Sequence, residues 1–416
     1  MPILRRSLAA APALLATAAA ALVLAFPASV ARATDANAVL VAAAADRTAW
    51  IDSARTRLLE MQEGPPPGRG ETAPNDLPAD ARREWPYEGV YRVGGSIPVG
   101  YRVGGTAIAA TALLRVLPPA PAEGAGIEDA TTRDDCLAAI ERARAFVCEI
   151  ADHPRLAHDY PPSYDVRGWG FIYALAFLLE LERAELVPAA AREATDAAIT
   201  HYLDGIQHIE IPGTGGWNYA RGRGRDAPAP FMTGPAVRAL LAARASGRAV
   251  DEAVLDRALD ALERAKDEAG GVAYAGTPGR RGAGLPGAVG RMLAAETALL
   301  EAGRGSPLAV RAALDAFFTH WDRLDERRAK SGTHEGPWGV APYYFFFAHL
   351  EAARAIELLP AALRPEYRAR LDDRLAETRL ADGTWNDRVF PRTANYGTSC
   401  VLLALAMPEP PGARRE

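Results

Sequence analysis

The sequence predicts an all-α chain built as a double ring of six helical hairpins, an α6/α6 toroid. Three observations carry that expectation. First, a Gly- or Trp-bearing turn recurs six times: Gly104-Gly105, Gly168-Trp169-Gly170, Gly215-Gly216-Trp217-Asn218-Tyr219, Gly270-Gly271-Val272-Ala273-Tyr274, Gly336-Pro337-Trp338-Gly339 and Asp382-Gly383-Thr384-Trp385. Second, the helix after a turn is apolar nearly all round, as in Ala107–Leu117, Phe171–Leu181 and Thr398–Met407, whereas the helix before it is amphipathic. A helix apolar on every side is buried on every side. Third, connections into the apolar helices are long and rich in Gly, Pro and aromatics, while those out of them are short. One hairpin cannot bury its own apolar face, but six can by closing on one another.

Twelve helical stretches follow in order. They pair as 46–62 with 105–117, 131–150 with 169–184, 188–208 with 233–246, 250–268 with 287–303, 306–328 with 342–359, and 364–379 with 396–407. Thr132 followed by Asp135 resembles a capping box. Pro118, Pro188, Pro365 and Pro408 fall at or just outside helix ends. Val254, Leu255, Leu259 and Leu262 form one stripe, with Glu252, Asp256, Arg257 and Glu263 elsewhere. No alternating run supports a sizeable sheet. A closed toroid would fill residues 34–416 as one domain.

Residues 1–33 read as a secretory signal peptide: Arg5-Arg6, an uncharged apolar run from Leu8 to Phe26, then Ala31-Arg32-Ala33. An uncleaved membrane anchor is the alternative. Cleavage would remove Arg5, Arg6 and Arg32, taking the net charge from −5 to −8. An exported, acidic protein is a poor candidate for nucleic-acid binding, and no later segment is apolar for long enough to cross a bilayer. Localisation is therefore expected to be periplasmic or extracellular. Cys136, Cys148 and Cys400 are too few for a disulfide framework and are expected as free thiols. Oligomeric state is not legible.

In a ring of parallel inner helices the long loops gather at one mouth, facing the helix N-termini. Segments 84–105, 161–169, 213–232, 270–291, 330–342 and 381–396 hold twelve basic and seven acidic residues on an otherwise acidic protein. Five of the seven tryptophans lie there too: Trp85, Trp169, Trp217, Trp338 and Trp385. The tryptophans either pack the repeat turns or present faces to a ligand, and both readings stay open.

The Gly-Gly-Trp-x-Tyr turn followed by an inner helix resembles the repeat of squalene–hopene cyclases and protein prenyltransferase beta subunits. The resemblance spans roughly residues 84–408 and is clearest at Gly215–Leu241 and Asp382–Leu405. It implies the toroid and a ligand in its central cavity. The motifs of those activities are missing: no Asp-x-Asp-Asp occurs, and Gly397 stands where a zinc-binding His would fall. No metal and no cofactor are therefore expected.

Two stretches carry the candidate chemistry. In the first, His334, Glu335 and Trp338 precede Tyr343, Tyr344 and, two turns deeper, His349. In the second, Trp385, Asp387 and Arg388 precede Arg392 and Tyr396. Asp387, His349 and Glu335 are the candidate acid–base groups. Trp217, Tyr219, His334, Trp338, Tyr343, Tyr344, Trp385, Arg388, Arg392 and Tyr396 are the candidate ligand contacts. Each has a structural alternative: His349 as a core histidine, Asp387 as a cap or a partner of Arg388. Three functions are compatible: a toroid binding a lipid or other small molecule, with or without catalysis; a hydrolase or lyase acting on an acidic polysaccharide; and a non-catalytic scaffold for a protein or glycan.

Overall fold

The computed structural model describes residues 31–66, 77–120, 127–159, 165–219, 227–278, 284–334, 336, 341–342 and 344–408. The chain divides into two compact units, Met1–Asp46 and Arg47–Glu416. The described residues of the first are helical, and most of the expected leader lies outside the described residues. No described helix is long and apolar enough to cross a membrane.

The described residues form thirteen α-helices and no named strand. In chain order they are α1 (Ala31–Glu60), α2 (Val99–Arg115), α3 (Ile127–Glu149), α4 (Arg167–Arg183), α5 (Arg192–His208), α6 (Pro230–Ala245) and α7 (Glu252–Arg264). There follow α8 (Val289–Glu301), α9 (Pro307–Thr319), α10 (Trp321–Asp325), α11 (Tyr344–Leu358), α12 (Arg364–Thr378) and α13 (Thr393–Leu405). Helix α2 packs on α4, α4 on α6, α6 on α8, α8 on α11, α11 on α13, and α13 back on α2. That closed circuit is the inner ring. Helices α3, α5, α7, α9 and α12 pack outside it. The protein is an α/α toroid, as the repeat predicts.

Three turns share one fastening. Trp85, Trp217 and Trp385 are fully buried. Their indole N–H groups donate to Leu58 O at 2.7 Å, Ile206 O at 2.8 Å and Leu375 O at 2.8 Å. Each acceptor lies in the last turn of an outer helix, where carbonyls lack intrahelical partners. The same tryptophans donate their backbone N–H groups to Thr106 at 2.9 Å, Thr233 at 3.2 Å and Thr398 at 3.1 Å, on the following inner helices. One residue thus ties an outer helix end to the following inner helix, three times over.

Two of the expected turns are not turns. Gly104-Gly105 lies within α2 and Gly168-Trp169-Gly170 within α4. These glycines let backbones and rings approach. A Cβ on Gly104 would stand 2.3 Å from Trp169 Cε3, and one on Gly105 would stand 2.4 Å from Trp85 O. Gly397 has the same role, since its Cβ would fall 2.5 Å from Trp385 O. The expected helix 306–328 is interrupted at His320, whose φ of −109° and ψ of 13° break the α path between α9 and α10. All three cysteines are free thiols.

Candidate functional site

The repeat register points to the mouth. Two residues beyond Trp85, Trp217, Val272 and Trp385 stand Tyr87, Tyr219, Tyr274 and Asp387. Tyr219 and Tyr274 line a pocket at the N-terminal end of the inner ring, with Tyr101 from the first turn of α2 and Tyr344 at the start of α11. Tyr91, Thr333, His334 and Arg388 complete its polar wall. Its free volume of about 20 Å³ admits a water-sized molecule.

The phenols are joined to one another. The Tyr274 hydroxyl bonds to His334 Nε2 at 2.9 Å and to the Tyr344 hydroxyl at 3.3 Å, and the Tyr344 hydroxyl bonds to that of Tyr219. His334, at the outer end of this chain, is exposed. Arg291 fixes Tyr274 from behind. Its guanidinium donates to Val272 O and Gly287 O, both at 2.9 Å, and lies 5.7 Å from the Tyr274 ring centroid. Burial pushes its pKa down to about 10, which leaves it charged at neutral pH.

Arg388 joins three loops. Its Nε donates to the Tyr87 hydroxyl at 2.9 Å, its Nη1 to Gly332 O at 2.7 Å, and its backbone N–H to Asn386 Oδ1 at 3.0 Å. Asp387 is fully buried, and neither carboxylate oxygen has a hydrogen-bond partner among the described residues. Burial pushes its pKa up to about 7, against the opposing pull of the nearby Arg388 charge. Tyr87, Tyr396 and Cys400 are close enough to feel the Asp387 charge. Next to the lining residue Tyr101, the rings of Tyr87, Trp169 and Tyr396 pack together, with the Tyr87 centroid 5.9 Å from Trp169 and 4.9 Å from Tyr396.

The structure sorts the predicted residues. Tyr219, His334, Tyr344 and Arg388 converge on the pocket, whereas Tyr396 does not line it and packs on the ring of Tyr87. Asp387 is adjacent to Arg388 but is not part of the wall. Trp217 and Trp385, expected as ligand contacts, are sequestered as turn fastenings. Arg392 is held in the rim by Glu63 at 2.5 Å and Glu88 at 3.6 Å. Glu335, Trp338 and Tyr343 lie outside the described residues. Tyr91, Tyr101 and Tyr274 were not anticipated, although Tyr274 shares the turn register of Tyr219.

His349 does not face the cavity as expected. It packs toward the outer helices, accepting from Trp321 Nε1 at 2.8 Å and donating from Nδ1 to Phe345 O at 2.8 Å. Both ring nitrogens are engaged, so it has no free position for proton transfer. Burial pushes its pKa down to about 4 from an ordinary 6.5. The neutral ring is the folded form, so its contribution is complete above pH 6.5 and is lost as pH falls toward 4. The loss should reach about 3 kcal/mol from this group. NMR titration should leave the His349 ring signals unshifted until near pH 4, and a midpoint near 6.5 would refute the buried assignment.

No known protein family matches the chain's sequence, and no curated protein matches it either. Solved structures do resemble it. One is the GH76A alpha-1,6-mannanase from Salegentibacter sp. HEL1_6, at 13% identity and TM-score 0.46, covering 86% of this chain and 98% of that one. Another is the type II terpene cyclase MstE from Scytonema, at 15% identity and TM-score 0.48, covering 87% and 97%. A third is the Lin0763 protein from Listeria innocua, at 12% identity and TM-score 0.48, covering 86% and 96%. At such identities an activity does not transfer with a fold.

Proposed function

We propose that the mouth of the inner ring binds a small, polar, water-soluble ligand, which enters by parting the bonded phenols, because the space between them admits only a water-sized molecule. The pocket wall carries this reading. Five phenols, an imidazole and a guanidinium converge there, and Val90 and Ala341 are the only aliphatic side chains among its described lining residues. A lipid would cover those hydroxyls without bonding them, at about 1–3 kcal/mol for each group left unsatisfied. A hydroxylated ligand would instead replace the bonds that Tyr219, Tyr274 and Tyr344 make to one another, and its apolar faces could stack on their rings.

The groups positioned to move protons on such a ligand are the linked phenols and His334, with solvent at the histidine end. Asp387 is not in the pocket wall and touches Arg388 through no hydrogen bond, so it is not among these groups. A carboxyl that titrates near neutrality is too weak an acid to protonate an alkene, which argues against cyclase chemistry. Export, expected from residues 1–33, fits a solute of the periplasm or the medium.

The test is untargeted mass spectrometry of protein purified from its native host. A hydroxylated, water-soluble compound should co-purify with the wild type and be lost from the Tyr274→Phe/Tyr344→Phe double variant. Stoichiometric recovery of an isoprenoid or another lipid would overturn the reading.

A further inference from the structure

Arg388 is the only permanently charged side chain among the described residues lining the mouth pocket. It is only 4% exposed. Two of its side-chain nitrogens are anchored, Nε on Tyr87 and Nη1 on Gly332 O. Its Nη2 has no hydrogen-bond partner, and the guanidinium makes no ion pair, among the described residues. Neighbouring arginines at the rim differ: Arg92 pairs with Glu88 at 2.8 Å, and Arg392 with Glu63 at 2.5 Å. Asp387, next in the chain, makes no ion pair with Arg388.

A buried guanidinium with no ion-pair contact is costly, and the cost falls when an anion meets it with good geometry. The two anchors fix the plane of the guanidinium and leave one amino group for such an anion. We propose that the ligand carries a carboxylate as well as hydroxyls, the chemistry of a uronic acid, and that its carboxylate docks on Nη2 of Arg388. This rests on the mouth being a ligand site. The ligand hydroxyls would then fall among Tyr219, Tyr274 and Tyr344. A free sugar acid and a residue of an acidic polysaccharide share this chemistry.

Ligand-observed NMR and calorimetry with galacturonate, trigalacturonate and their methyl esters test the assignment. The wild type should bind the acids roughly 10- to 100-fold more tightly than the esters, the span expected for a hydrogen bond to a charged group. Arg388→Gln should erase that difference, bringing the affinity for the acids down to that for the esters. Tighter binding of the trimer would point to a polysaccharide, and equal binding to a free sugar acid. Should Arg388→Gln fail to fold, Tyr87→Phe removes one anchor and keeps the charge. It should weaken the acids several-fold more than the esters, and equal weakening of both overturns the docking geometry. Equal binding of acids and esters by the wild type overturns the role of Arg388 while leaving the mouth as a site for neutral ligands. Failure of all four probes overturns the uronate assignment, and the co-purified compound then decides whether the mouth binds anything polar.

Discussion

Asp387→Asn is expected to stabilise the folded protein at pH 8 by about 2–4 kcal/mol, a gain that vanishes below about pH 4. The carboxyl is fully buried, its two oxygens lack partners among the described residues, and its pKa is pushed from an ordinary 3.8 up to about 7. Between those values the folded chain holds a proton that the unfolded chain has released. Stability therefore falls as pH rises from about 4 to about 7 and then levels off. Asparagine has nearly the same shape and no charge, so it removes that slope. Its amide remains buried with incomplete bonding, which keeps the expected gain below the full electrostatic value. Urea unfolding followed by circular dichroism at pH 4, 6 and 8 would measure it. A variant less stable than the wild type at pH 8 would mean that the ionised Asp387 is well bonded in the native state. Stabilisation by loss of a side chain marks a residue kept for something other than the fold.

The ring was legible because the turns before α6 and α13 carry a tryptophan that makes two bonds, and because the inner helices have no polar face. Glycine was ambiguous. It marks either a left-handed backbone, as at Gly216 with φ of 74°, or close approach inside a helix, as at Gly104. Both leave the same letter in the sequence, so glycines inside two helices read as turns. His349 was misplaced for a related reason: a helix apolar all round gives no periodicity to separate its inner side from its outer side. Tyr274 and Asp387 could be located from the turn register alone. The anchoring of Arg388 could not, because Tyr87 and Gly332 lie 301 and 56 residues away in the chain. Only closure of the ring brings them together.

Trp385→Ala should lower stability by about 3–5 kcal/mol, the range for emptying a large buried aromatic site. The ring is fully buried, and the Arg379 guanidinium lies 5.7 Å from its centroid. Its removal leaves the Leu375 carbonyl at the end of α12 without its indole donor. Trp385→Phe keeps much of the packing and loses that bond, so it should fall between alanine and wild type. Thr398→Val separates the second tie. It preserves shape but strands the buried Trp385 N–H, which makes about 1–3 kcal/mol the expected loss. Trp217→Ala and Thr233→Val should reproduce both results in another repeat, since the bonds are the same. Chemical unfolding of this set, with uronate binding measured on the folded fraction of each variant, distinguishes a fastening from a ligand contact. Retained affinity in a destabilised Trp385→Ala confirms the fastening. Lost affinity at unchanged stability would return Trp385 to the binding surface and require the indole to leave its site when ligand enters.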